Sequence, residues 1–221
     1  MKLQLSLSLL FLSLSGLGHC APVVVYDTLA GFRGTGFSVA SPTSAHGPGA
    51  VRRAFAFTTG ASTSNWIGVD AALYPYVSGG AGSASGSATD LTLSIFTNAL
   101  GSPSTWMGDL TFTPPPLLTD VSGAGSFVSA SPIALASNTT YWVVAAASGT
   151  AYYAWAQNVV GALNHQSSLN SGPWSSSAGT VAARVTLDTV PELNPAGAVL
   201  PFLFLSGVLA VGLGKRRALS L

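Results

Sequence analysis

Between Ala196 and Gly214 the chain has no ionisable residue, and Lys215-Arg216-Arg217 follows at once. No other feature limits the fold more. At about 1.5 Å of rise per helical residue the run reaches roughly 28 Å, close to the ~30 Å hydrocarbon core of a bilayer. A helix satisfies its backbone groups internally, as lipid requires. Pro201 lies in the first turns, where a missing donor costs least. A buried core helix is the competing reading, but such a helix rarely lacks any polar face and then stops at three cations. A transmembrane helix over 196–214 is therefore expected. Its basic cluster, Lys215, Arg216 and Arg217, acts as a stop on the cytoplasmic side and leaves Val190 and everything before it outside.

The other end agrees with export. Lys2, the apolar stretch Leu3–Leu14 and the small-residue break Gly16–Cys20 read as a helical signal peptide over 1–21, handled by the Sec machinery and signal peptidase. Leu17-Gly18-His19-Cys20 places a leucine as a lipoprotein signal would, but His19 occupies a small-residue position. Lipidated and unlipidated forms of Cys20 both remain open. It is the chain's only cysteine, so no internal disulfide and no thiolate metal site can form.

Residues 22–189 form the expected ectodomain. Six aspartates (Asp27, Asp70, Asp90, Asp109, Asp120 and Asp188) against four arginines (Arg33, Arg52, Arg53 and Arg184) leave a net charge of −2, with no lysine and no glutamate. That excludes a basic field for nucleic acid. Alternating apolar runs predict strands at Val23–Tyr26, Arg53–Thr58, Trp66–Tyr74, Leu91–Thr97, Thr105–Thr113, Gly125–Ser129, Tyr141–Ala147, Tyr152–Gln157 and Val181–Leu187. Phe55 and Phe57 face one side of their strand, and Val181, Ala183, Val185 and Leu187 face inward with Arg184 outward. Gly-, Pro- and Ser-rich composition predicts loops at Ala30–Gly49, Val77–Ala88 and Val160–Gly179, and a turn at Asn98–Ser104. About nine or ten short strands without an amphipathic helix predict an all-β fold, an antiparallel β-sandwich of jelly-roll type.

Val190-Pro191-Glu192-Leu193, the uncharged helix and the terminal cations together resemble the PEP-CTERM sorting signal of exopolysaccharide-producing Gram-negative bacteria. Leu193 stands where that family has its second proline, which makes 190–221 a variant. The resemblance implies an exosortase-type processing protease that cuts near the motif. A plain single-span anchor is the alternative. A second resemblance covers roughly Val51–Leu187. Ala54–Gly60 followed by Trp66–Leu73, then Leu91–Ser104, then Leu135–Val144 are similar in order to the choice-of-anchor R domain. That likeness implies a β-sandwich outside the cell and no catalytic residue.

No catalytic motif emerges. Nothing in the spacing selects a carboxylate pair, and Asp70 and Asp109 read as turn-capping residues. His46 and His165 sit in polar stretches and read as solvated loop histidines, without a nucleophile elbow nearby. No metal ligand set, P-loop or dinucleotide fingerprint appears, so no cofactor is expected. Among five tryptophans, Trp142 in its dense apolar strand reads as core. Trp174 in a polar loop, then Trp106, are the candidate carbohydrate contacts, since sugar rings lie on exposed aromatic faces. The sequence thus predicts an exported, non-enzymatic surface or matrix protein. A carbohydrate-binding module for exopolysaccharide is the alternative, and a secreted hydrolase the weakest reading.

Overall fold

The computed structural model describes residues 22–44, 49–75, 90–112, 124–158 and 165–189, all within the compact unit Ala21–Val190. The signal peptide, His46, the 77–88 connection, the sorting motif, the apolar span and the basic cluster lie outside the described residues. The elements are all strands: β1 (Val23–Asp27), β2 (Phe32–Ala40), β3 (Val51–Thr58), β4 (Ser64–Ala71), β5 (Leu73–Pro75), β6 (Leu91–Ala99), β7 (Ser102–Phe112), β8 (Gly125–Ser129), β9 (Thr140–Ala147), β10 (Tyr152–Asn158), β11 (His165–Leu169), β12 (Ser175–Ser177), β13 (Thr180–Val181) and β14 (Ala183–Thr189).

The all-β, antiparallel expectation holds. One hydrogen-bonded path, β1-β14-β4-β8-β7-β6-β9-β3-β2-β10-β13, runs through the domain, with β5 on β10 and the β11–β12 hairpin on β3. Where a sandwich would have separate sheets, this one curls back on itself. The closure rests on two bent strands. Ala72 interrupts β4 and β5, so the first part pairs with β14 and the second with β10. Ala182 interrupts β13 and β14 in the same way. At the corner, Ala72 N–H donates to the Ala182 carbonyl (3.1 Å), Ala182 N–H to Ala156 (2.9 Å) and Ala156 N–H to Ala72 (2.8 Å). The three backbones satisfy one another in a cycle, so the bends leave none of these buried groups unpaired. All three alanines are buried and pack together.

Period-two patterning located the core. Phe55, Phe57, Ile67, Val69, Leu73, Leu93, Ile95, Val181, Val185 and Leu187 are all at most 3% exposed. Each such side chain contributes about 1.5–3 kcal/mol relative to exposure. β9 pairs with β3 on one side and β6 on the other. Both of its faces are covered: Tyr141, Val143 and Ala145 join the main core, while Trp142 and Val144 form an outer cluster with Ala54. At the edge of the sheet, Arg184 on β14 and Asp27 on β1 form an ion pair at 3.0 Å. Both are well exposed, so it contributes no more than about 1 kcal/mol.

Two loops expected from composition are strands. Ala30–Gly49 contains the nine-residue β2, which pairs with β10 from Tyr152↔Ala40 to Asn158↔Phe32. Its glycines misled because glycine signals a loop by composition, whereas Gly36 serves close backbone approach. A Cβ there would lie 2.3 Å from the Trp155 carbonyl oxygen. Val160–Gly179 contains β11 and β12. Its residues show no apolar alternation because the buried positions of β11 are the polar His165 and Ser168, and backbone pairing with β3 and β12 holds the strand in place. Asp70 and Asp109 are also strand residues, not turn caps: they pair with Arg184 and Ser94 respectively.

The Asn98–Ser104 turn is shorter than expected. β6 and β7 join through Leu100-Gly101, both at positive φ (52° and 78°), between the paired residues Ala99 and Ser102. This two-residue turn favours Asn-Gly, and leucine pays about 1–2 kcal/mol in left-handed backbone. Leu100 is also fully exposed, so its side chain returns nothing. Leu100→Asn is expected to raise stability by about 1 kcal/mol, read as a higher thermal midpoint; an unchanged or lower midpoint would show that the turn is not strained.

Candidate functional site

Two surface features concentrate chemistry. The first is an aromatic row on the outer face of the sheet. Register places Phe96 on β6 directly between Trp142 on β9 and Trp106 on β7. Trp142 is buried at the inner end, and its Nε1–H donates to Asn98 Oδ1 at 2.9 Å. Trp106 at the outer end is 56% exposed. Its Nε1–H donates to Asp109 Oδ1 (2.9 Å), which also accepts from Ser94 Oγ (2.6 Å). The indole is therefore held by its polar edge while a large apolar face meets solvent. Trp66 lies elsewhere, across Gly68 on β4, and Trp155 is entirely buried.

Trp174 has a different position. It is half-buried and packs against the Ala54–Trp142–Val144 cluster, and the Arg52 guanidinium carbon lies 5.0 Å from its ring centroid. The tryptophan thus anchors the β11–β12 hairpin onto the sheet and holds a cation by its π face. Arg52 Nη2–H donates to Ser168 Oγ at 2.9 Å, and Ser168 Oγ–H in turn to the Gly172 carbonyl at 2.7 Å. Arg52 Nε is buried without a partner among the described residues.

The second feature lies beside it. β2 and β3 share just one paired position, Ala40↔Val51, because β11 occupies the length of β3 from Val51 to Ala54. The separation opens a cleft of about 470 Å³, with Ser38, Arg53, Ser167, Leu169, Pro173 and Ser175 on its walls. Arg53 Nε–H donates to the Ser38 carbonyl at 3.0 Å, and Nη1 lies 3.1 Å from His165 Nε2. Its guanidinium also sits over the Phe37 ring, 5.6 Å from the centroid. Neither Arg52 nor Arg53 has a carboxylate partner among the described residues. Burial lowers the basicity of both, yet arginine stays cationic in proteins.

His165 is not a solvated loop residue. It is 1% exposed and packs against Phe37, with ring centroids 3.9 Å apart and the rings tilted by 43°. Its Nδ1 lies 3.0 Å from the Gly179 carbonyl, which can only accept, so the proton sits on Nδ1 and the bare Nε2 accepts from Arg53. Burial pushes its pKa below the ordinary value; the Gly179 carbonyl pulls it back up, and the Arg53 charge pushes it further down. The unfolded chain therefore takes the proton first. The stabilisation is complete above about pH 6.5 and is lost as pH falls from there through the folded pKa. Stability measured by urea unfolding is expected to drop between pH 7 and pH 5, and His165→Gln to flatten that slope. An equal slope in the variant would show that another group carries it.

Sequence reasoning singled out Trp106 and Trp174 but not the cleft. The usable signal was Arg52-Arg53, two adjacent cations in a domain with so few charges. Its partners, β2 and β11, lay in stretches read as loops. Comparison of the chain with models of known protein families and with curated proteins gives no match. Among the described residues no helix is long and apolar enough to cross a membrane, and no group of three His, Cys, Asp or Glu side chains converges as a metal site would require.

Proposed function

We propose that the chain is an exported, non-enzymatic cell-surface or extracellular-matrix protein. The Sec machinery and signal peptidase carry it across the membrane. The variant PEP-CTERM-like tail then holds it as a single-pass inner-membrane precursor until an exosortase-type protease acts near Val190-Pro191-Glu192-Leu193. The observation that carries this reading is the order of the tail: motif, uncharged run 196–214, then Lys215-Arg216-Arg217. The ectodomain, on this reading a jelly-roll-like sandwich related to choice-of-anchor R domains, is the displayed part. A β-domain stabilised by packing, without disulfides, is compatible with that role.

Cell fractionation tests it. Full-length protein is expected in the membrane or surface fraction, and protein lacking 190–221 in the soluble exported fraction. Equal recovery of both from the cytoplasm would overturn the reading. The exposed, edge-anchored indole of Trp106 favours a second reading, a carbohydrate-binding module for exopolysaccharide. Apolar rings held rigidly at a surface bind ligand faces at low entropic cost.

A further inference from the structure

We propose that the cleft between β2, β3 and β11 binds a carboxylate-bearing sugar unit of an acidic polysaccharide, with its carboxylate on Arg53. The proposal rests on the carbohydrate reading above and assigns it a second subsite and a ligand charge. Arg53 spends Nε on the Ser38 carbonyl and one Nη1 direction on His165. Among the described residues Nη2 and the remaining Nη1 proton are left as donors in a fixed fork, the geometry that matches a carboxylate. His165 cannot neutralise this charge, because its tautomer presents a lone pair and no anionic group. The guanidinium is thus oriented from two sides, half-buried, and not paired with any carboxylate among the described residues. An external anion is the missing partner.

The walls narrow the class of anion. Ser167 and Ser175 hydroxyls face each other across the β11–β12 hairpin at 3.4 Å, and Ser167 also meets Ser177 at 3.0 Å. Hydroxyls of this kind donate and accept, as sugar hydroxyls do. Leu169 at the rim is 50% exposed and offers an aliphatic face to the C–H side of a ring. A volume of about 470 Å³ lies within the roughly 300–1,000 Å³ range of small-ligand sites. One charge, neutral hydroxyls and an aliphatic wall fit a uronate better than a polyphosphate, which would draw several cations. The domain's net negative charge also argues that any acidic polymer must be met locally.

Affinity electrophoresis of the full-length protein in neutral detergent tests this. The gels contain polygalacturonate, neutral dextran, dextran sulfate or polyglutamate. Retardation is expected in polygalacturonate above that in dextran, decreasing with salt. Arg53→Gln is expected to weaken it at least tenfold. Because Arg53 also braces Ser38, Leu169→Glu provides a second variant: it places a like charge at an exposed rim and should weaken binding similarly, with an unchanged thermal midpoint. Leu169→Gln, which loses the aliphatic contact but adds no charge, should weaken binding less than Leu169→Glu. Unchanged retention in both Arg53→Gln and Leu169→Glu, with loss in Trp106→Ala, would overturn the cleft and leave the carbohydrate reading standing. Equal retardation by dextran sulfate would overturn the carboxylate assignment, and by polyglutamate the sugar assignment. No retardation by any polysaccharide would overturn both readings.

Discussion

Replacing Trp155 by alanine is expected to lower the unfolding free energy by about 3–5 kcal/mol, the range for a large aromatic removed from a packed core. Trp155 is fully buried on β10 and meets Phe55 edge-on, with centroids 5.5 Å apart at 80°. Its Nε1–H also donates to the Ala182 carbonyl at 3.0 Å, beside the three-alanine corner where the sheet closes. The substitution removes aromatic packing and strips a buried carbonyl of one donor. A domain of this kind has about 5–15 kcal/mol in total, so one change consumes a large share. Urea unfolding followed by the fluorescence of the other tryptophans measures it. A loss below about 1 kcal/mol would show that the corner closes without this side chain.

Gly36→Ala is the second large effect, and it acts on the other side of the same residue. A Cβ at position 36 would sit 2.3 Å from the Trp155 carbonyl oxygen and 2.8 Å from its carbon. Backbone cannot rotate away as a flexible side chain can, so β2 and β10 must separate locally. Overpacking costs about 1–3 kcal/mol, and a clash with paired backbone belongs at the top of that range. Amide hydrogen exchange should rise along β2 and β10 while β6, β7 and β9 keep their protection. Uniform exchange across the sheet, or none of the expected loss in urea, would show that the strands relax more easily than their register implies. Together the two variants separate the side-chain and main-chain parts played by one residue.

How much of this was legible depends on what each residue contacts. Ile67, Val69, Ala71 and Leu73 on β4–β5, and Val181, Ala183, Val185 and Leu187 on β13–β14, announced their buried face by alternation, and the structure buries them. β9 announced itself by apolar density and lies between two partners with both faces covered. β2 and β11 gave no such signal. The first carries glycine where a neighbouring carbonyl approaches, and the second carries polar residues between two pairing strands, β3 and β12. The site followed the same division. Trp106 was identified as a candidate contact and stands exposed, while Trp174 is half-buried under Arg52. Arg53, His165 and Ser167 come from segments 112 to 114 residues apart in the chain, and only the folded sheet brings them together.

By itself, the sequence determined the all-β class and most strand faces, because these depend on local periodicity. The tertiary structure alone decided that the strands join one curled sheet closed at Ala72, Ala156 and Ala182, and that Arg53 lines an open cleft. Those features depend on backbone pairing between distant segments, which any side chain small enough to permit it can share and which leaves no periodic trace.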